Sequence, residues 1–251
     1  MGVLSNKIDR KQLKPGDQIY SWRQAYLYAH HGIYVGEGMV IHFTTGRGQQ
    51  NGTPAIFDGL FTSSAPSFDT DIPCLRCGDC REIRTNGVIS SCLDCFLSGG
   101  ELYLFEYGVN IIQFLAQARG GTCTLASSDP TDEVLSRTFY LLENGFGDYH
   151  FFKNNCEDFA IYCKTGLLVT PNISVAGGSG QAATYSAAVN SIAAFSLRFV
   201  TSRFVTSSFY GMTLVSCGTY CYKRLVSDIG FRNGVTKVPL EKIPEMAKAE
   251  N

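Results

Sequence analysis

The stretch His30-His31-Gly32-Ile33-Tyr34-Val35-Gly36-Glu37-Gly38-Met39-Val40-Ile41-His42-Phe43 carries most of the architecture. Ile33, Tyr34 and Val35 favour a strand, as does the run from Met39 to Phe43, and Gly36-Glu37-Gly38 lies between them. That pattern predicts a β-hairpin. With a three-residue loop, and Gly38 in the left-handed position of a bulge, Gly32 lies opposite His42. His30 then shares a sheet face with His42, because side chains two apart on a strand point the same way. A two-residue loop would put the two histidines on opposite faces. One histidine on a β-face is more often a half-buried structural residue than a catalytic one. Two on one face, with a cysteine elsewhere, shift that balance.

The cysteine that matters is in Asn154-Asn155-Cys156-Glu157-Asp158-Phe159-Ala160-Ile161-Tyr162-Cys163-Lys164-Thr165-Gly166. This segment reads as a short helix with both ends marked. Asn155 is a natural N-cap, Glu157 and Asp158 put negative charge in the first turn, and Gly166 follows Lys164 at the end. Cys156 falls at the first helical position, where the helix start stabilises a thiolate and can bind a developing oxyanion. Cys163 sits two turns deeper on the same side and is expected to pack in the core. A cysteine at a helix start is more often a small buried hydrophobe, so this segment alone does not establish catalysis.

Further out, composition narrows the class. Charged residues make up 17% of the 251 and apolar residues 45%, which excludes an intrinsically disordered chain. The net charge of −1 provides no basic field for nucleic acid, and no nucleic-acid partner is expected. The N-terminus MGVLSNKIDRKQLKPGD has no apolar core of a signal peptide, so an intracellular, reducing location is expected, with the sequons at Asn51 and Asn172 unused. Residues 46–73 are rich in Gly, Ser, Thr and Pro and read as a surface insertion. Residues 102–107 (LYLFEY) read as a buried strand. Residues 129–166 look helical, opened by Asp129-Pro130, with Val134, Leu135, Phe139, Leu141 and Leu142 as the apolar face.

Five of the ten cysteines (Cys74, Cys77, Cys80, Cys92 and Cys95) lie close together. Cys74-x2-Cys77 and Cys92-x2-Cys95 have the spacing of a two-knuckle structural zinc site. Cys80 is a spare or alternative ligand. The competing view is a loop of unligated thiols.

Taken together, the H-x-G-I-Y-V-G segment from His30, the second histidine at His42 and the later Asn-Cys-Glu helix start resemble the lecithin:retinol acyltransferase (LRAT) family. Its plant branch is known as the NC-domain proteins. The resemblance spans roughly residues 13–168 and begins at Lys14-Pro15-Gly16-Asp17, which matches the family's opening strand. It implies an α+β, circularly permuted papain-like (NlpC-type) fold, its antiparallel sheet packed on the cysteine-bearing helix. It also implies the chemistry: a cysteine takes an acyl chain from a phospholipid donor as a thioester and passes it to an amine, an alcohol or water. Carried over by position, Cys156 is the nucleophile, His30 the general base and His42 the residue that orients the imidazole. Two departures stand out. His31 occupies a position that is often aromatic in relatives, and the helix reads NCED where animal acyltransferases often have NCEH.

The resulting division is a catalytic domain over residues 1–169, containing the Cys-rich insertion over residues 46–100, and an apolar helical region with a polar tail over residues 170–251. No charge occurs in residues 170–197, and residues 204–222 are uncharged but hold eight Ser, Thr or Gly. A membrane span, a surface helix and a buried helix all fit that stretch. Met1-Gly2 opens a weak match to a myristoylation signal, with Asn6 in place of Ser or Thr. The function expected is a phospholipid-dependent acyltransferase or thiol esterase/phospholipase A on the cytoplasmic side of a membrane, with no catalytic cofactor. The rival is a non-enzymatic membrane-associated adaptor that keeps the fold as a scaffold and binds a protein partner through the Cys-rich insertion.

Overall fold

The hairpin forms the middle of a five-stranded antiparallel sheet in the computed structural model, which describes residues 6–23, 26, 28–44, 74, 87–117, 119–150, 154–169, 180–181 and 209–243. Strands β1 (Gln18–Arg23), β2 (Tyr28–Gly36), β3 (Met39–Thr44) and β4 (Gly87–Cys92) are successive antiparallel neighbours. Helix α1 (Leu93–Leu97) follows β4 without a break, and the short β5 (Tyr103–Leu104) pairs with the outer side of β1. Four helices and a second small sheet follow: α2 (Ile111–Ala116), α3 (Thr131–Asn144), α4 (Cys156–Thr165), β6 (Leu167–Val169), α5 (Phe209–Ser227) and β7 (Val235–Lys237). The fold is α+β, with the histidine strands preceding the cysteine helix in the chain.

The hairpin loop differs from the expected three-residue form, yet the register is the expected one. Glu37 and Gly38 both have positive φ, 52° and 75°, as a two-residue turn of the type that matches strand twist requires. Gly36 pairs with Met39, and the register then shifts between Tyr34 and Gly36, so that Ile33 faces Ile41. The extra residue of this bulge does what a longer loop would have done. His30 and His42 end on one face.

Three other readings are corrected. Lys14-Pro15-Gly16-Asp17 is a turn, not a strand: Asp17 accepts the Lys14 N–H at 2.8 Å, Gly16 has φ 89°, and β1 starts only at Gln18. The expected strand over residues 102–107 shortens to Tyr103–Leu104, although Leu102, Tyr103 and Phe105 are buried. The helical reading of residues 129–166 breaks into α3 and α4. Gly145, at φ 79°, ends α3, and Pro130 caps its start. Within α3, Val134 and Leu141 are fully buried, while Phe139 is 46% exposed and faces away from the core.

The two sheet faces are covered by different elements. On one side α4 lays Phe159, Ala160, Tyr162 and Cys163 against Ile33, Ile41 and Phe43, with Val134 and Leu141 of α3 behind. On the other, α1 lays Leu93, Phe96 and Leu97 against Ile19 and Val40. The chain after α5 returns to the first side: β7 pairs with β6, and Ile229, Val238 and Ile243 are buried. Arg137 ties these parts together, donating to the Cys163 carbonyl at 3.1 Å and to Asp129 at 2.6 Å, with Lys237 on the same carboxylate.

Of residues 204–222, which allowed a membrane span, those described lie in a helix, Phe209–Ser227, that runs on through Lys223 and Arg224. Among the described residues no helix is long and apolar enough to cross a membrane. Arg224 is buried, with its guanidinium 4.3 Å from the centre of the Phe114 ring.

Candidate active site

The two histidines predicted to share a face are in contact. His30 Nε2 lies 2.9 Å from His42 Nδ1, and His42 Nε2 lies 3.0 Å from Ser91 Oγ. The rings meet edge to face, and Phe96 of α1 packs on both at 5.2 and 5.4 Å. Gly32 makes that closeness feasible. A Cβ there would lie 2.7 Å from Val40, 2.9 Å from Phe96 and 3.1 Å from the His42 Cβ. Arg23 reaches across to donate to the carbonyls of Phe96 and Leu97 (the latter at 2.6 Å), which satisfies the C-terminal end of α1 and fixes it over the histidines.

All three clustered histidines are neutral at physiological pH. Burial, and then the neighbouring His42 and Arg23, hold His30 well below the usual histidine range. Burial takes His42 to about 3, helped by Arg23. Burial alone takes His31 to about 3. The hydrogen bonds then separate His30 from His31. Gln18 accepts the Tyr107 hydroxyl on its oxygen, so its amide nitrogen donates to His31 Nδ1 at 3.1 Å. That leaves the His31 proton on Nε2, where the ring cannot act as a base. In the His30–His42–Ser91 chain, a proton on each Nε2 lets His30 donate to His42 and His42 donate to Ser91. His30 Nδ1, buried and without a hydrogen-bond partner among the described residues, is then an unprotonated acceptor.

Cys156 is the first residue of α4, as the sequence predicted. Asn155 caps it, accepting the N–H groups of Glu157 at 2.8 Å and Asp158 at 3.2 Å, and Asp158 accepts the Asn155 N–H at 3.1 Å. The NCED variation is therefore a reciprocal capping box. Gly166 closes the helix with φ 67°. Cys156 Sγ lies 3.8 Å from the Ala29 carbonyl oxygen and takes the His31 backbone N–H as a second contact. Strand N–H and C=O groups point in the plane of a sheet, so the sulfur lies at the edge of β2 and not over either face. The β2–β3 ladder begins only at Ile33↔Ile41, and Cys156 uses backbone groups beyond its end. The structure thus brings the sulfur to the two residues that flank His30.

The helix start does not yield a resting thiolate. Burial pushes the Cys156 thiol up to about 12, outweighing the lowering effects of the His31 N–H and the Tyr149 hydroxyl. Next to it, burial raises the Glu157 carboxyl to about 8. Glu157 accepts the Gln181 N–H at 2.8 Å. The Gln181 side chain in turn pairs with the backbone of Ala29, accepting its N–H at 2.6 Å and donating to its carbonyl at 2.9 Å. Ser91, Phe96, Arg23 and Gln181 all escaped the sequence reading, since none has a spacing signal linking it to the histidines or the cysteine.

Of the four expected zinc ligands, Cys74, Cys92 and Cys95 converge, with sulfurs within 4.8 Å of one another. Cys77, Cys80 and the insertion over residues 46–73 lie outside the described residues.

An antiparallel sheet bearing a histidine pair, met at its edge by a helix-start cysteine, defines an α+β domain. Residues 11–169 match the lecithin retinol acyltransferase family, and the chain belongs to it. A relative from Arabidopsis thaliana, Protein LEAD-SENSITIVE 1, is 54% identical over 243 residues, spanning 97% of this chain and 90% of that protein. Membership points to the acyltransferase or thiol-hydrolase class.

Proposed function

We propose that this chain is a phospholipid-dependent acyltransferase or thiol esterase of the phospholipase A type, with Cys156 as nucleophile, His30 as general base and His42 as the orienting residue. We read the chain order, histidines before cysteine, as that of a circularly permuted papain-like domain. The observation that carries the proposal is the His30–His42–Ser91 chain, which leaves His30 Nδ1 as acceptor on the segment of β2 that the Cys156 sulfur meets.

Because both groups rest neutral, the thiol proton passes to His30 Nδ1 as the sulfur attacks the acyl carbonyl. The capping box engages the N–H groups of Glu157 and Asp158; that of Cys156, outside the box, is the donor for the oxyanion. Collapse of the tetrahedral intermediate breaks the ester C–O bond. His30 returns its proton to the leaving lysophospholipid oxygen, and the acyl group remains as a thioester on Cys156. An amine, alcohol or water then attacks, passes its proton through His30 and releases the thiol.

The lipid is met at a membrane surface on the cytoplasmic side. Leu214, Val215 and Tyr222 of α5 are exposed, and Ile111, Ile112 and Phe231 line an open apolar groove of about 700 Å³. Burying such side chains at an interface contributes about 0.8 kcal/mol per CH₂ group.

One observation favours the adaptor reading: Cys156, His30 and His42 are each no more than 3% exposed. Vesicles of radiolabelled phosphatidylcholine, with and without a primary amine, separate the two. Release of fatty acid or N-acyl amine that stops in Cys156→Ser supports the enzyme. Vesicle binding without any turnover supports the adaptor.

A further inference from the structure

We propose that Cys74, Cys92 and Cys95 form a structural site for a zinc-class divalent cation, and that this site clamps the wall of the histidine pair. Three observations support it. The Cys74 and Cys92 sulfurs are 3.6 Å apart, far longer than the roughly 2.05 Å of a disulfide. A tetrahedral ion with Zn–S bonds of about 2.3 Å spaces its sulfurs about 3.8 Å apart, close to the 3.6 Å between Cys74 and Cys92. Cys92 also ends β4 and caps α1, and its sulfur accepts the Cys95 N–H at 3.5 Å. That N–H···S bond across a Cys-x2-Cys step tempers the charge of a ligating thiolate.

Softness selects the metal. The three thiols that converge among the described residues are soft donors, and as thiolates they favour zinc over magnesium or calcium. A tetrahedral ion takes a fourth donor beside these three thiols.

The position gives the site its consequence. Ser91, which bonds His42, precedes Cys92 directly, and Phe96, which packs on both histidines, follows Cys95 directly. The ligands therefore bracket the corner that sets the orientation of His42. Holding Cys92 and Cys95 to Cys74 fixes this corner to the end of the insertion.

The test is metal content by mass spectrometry of the full chain, purified without added metal. About one zinc per chain is expected, falling below about a tenth in Cys92→Ser and in Cys95→Ser and staying near one in Cys217→Ser, whose thiol lies on the exposed face of α5. Should the serine variants misfold, the wild type decides alone. Titrating its thiols with a mercurial should release the zinc in step with the modification, and chelated protein should melt at a lower temperature. Zinc below a tenth per chain overturns the proposal, as does a Cys74–Cys92 disulfide in the purified chain. Zinc that persists in both serine variants also overturns it, because the ion is then held elsewhere.

Discussion

The two faces of the central sheet are built from different materials. The face under α4 is mainly apolar: Ile33, Ile41 and Phe43 pack on Phe159 and Ala160, and its buried polar groups, His31 with Gln18 and Glu157 with Gln181, are each hydrogen-bonded. The face under α1 carries His30, His42 and Ser91 in a hydrogen-bonded line, roofed by Phe96. The first face holds the fold together. The second holds the histidine proposed as base. Cys156 belongs to the helix of the first face, yet its sulfur reaches the β2 edge, where the two meet.

The sharpest way to break this contrast is to exchange the histidines' roles. His30→Gln should lower turnover by about three orders of magnitude or more, the loss expected when a general base acting with its nucleophile is removed. His31→Gln, on the apolar face, should stay within about tenfold. Steady-state rates on vesicle phosphatidylcholine check this, and the reverse ranking would make His31 the base.

Glu157 tests the apolar face through pH. Its carboxyl rises from the ordinary 4.5 to about 8 in the fold, so the native chain holds a proton that the unfolded chain releases. Stability is therefore greatest below about 4.5 and is lost as pH rises toward 8, by at most about 1.4 kcal/mol per pH unit. Glu157→Gln should flatten that decline, measured by denaturant unfolding from pH 5 to pH 8. An unchanged slope would mean that water reaches the carboxylate.

Gly32→Ala sharpens the contrast on the polar face. Its Cβ has no room against Val40, Phe96 and His42, so a loss of about 1–3 kcal/mol is expected by denaturant unfolding, together with slowed turnover. Ser91→Ala is the mildest. It removes the acceptor for His42 Nε2 while leaving the packing, and should cost about tenfold in kcat with stability lowered by about 1 kcal/mol.

The same contrast explains what was legible in the sequence. Both ends of α4 were, because capping and left-handed termination are local chemistry, written in Asn155 and Gly166. The shared face of His30 and His42 was legible only for a three-residue loop; the loop has two residues, and the bulge that restores the shared face carries no signal in the sequence. The roof and anchor of the dyad were not. Ser91 and Phe96 come from strand and helix positions about 50 residues beyond His42, and only the folded β3–β4 ladder shows that Ser91 lies opposite Val40. Gln181 is more distant still, 152 residues from the Ala29 backbone it pairs with. The neutral thiol was equally hidden. A helix start favours a thiolate, and only the depth of burial reveals that desolvation wins.

The central claim is that Cys156 carries the acyl group, and mass spectrometry tests it most directly. Full-length protein is mixed briefly with phosphatidylcholine vesicles, quenched in acid and digested. The peptide containing Cys156 should gain the mass of a fatty acyl group, removable by hydroxylamine, absent in Cys156→Ser and strongly reduced in His30→Gln. Lipid turnover with this peptide unmodified in every quench, or the acyl group on a different cysteine, would contradict the account.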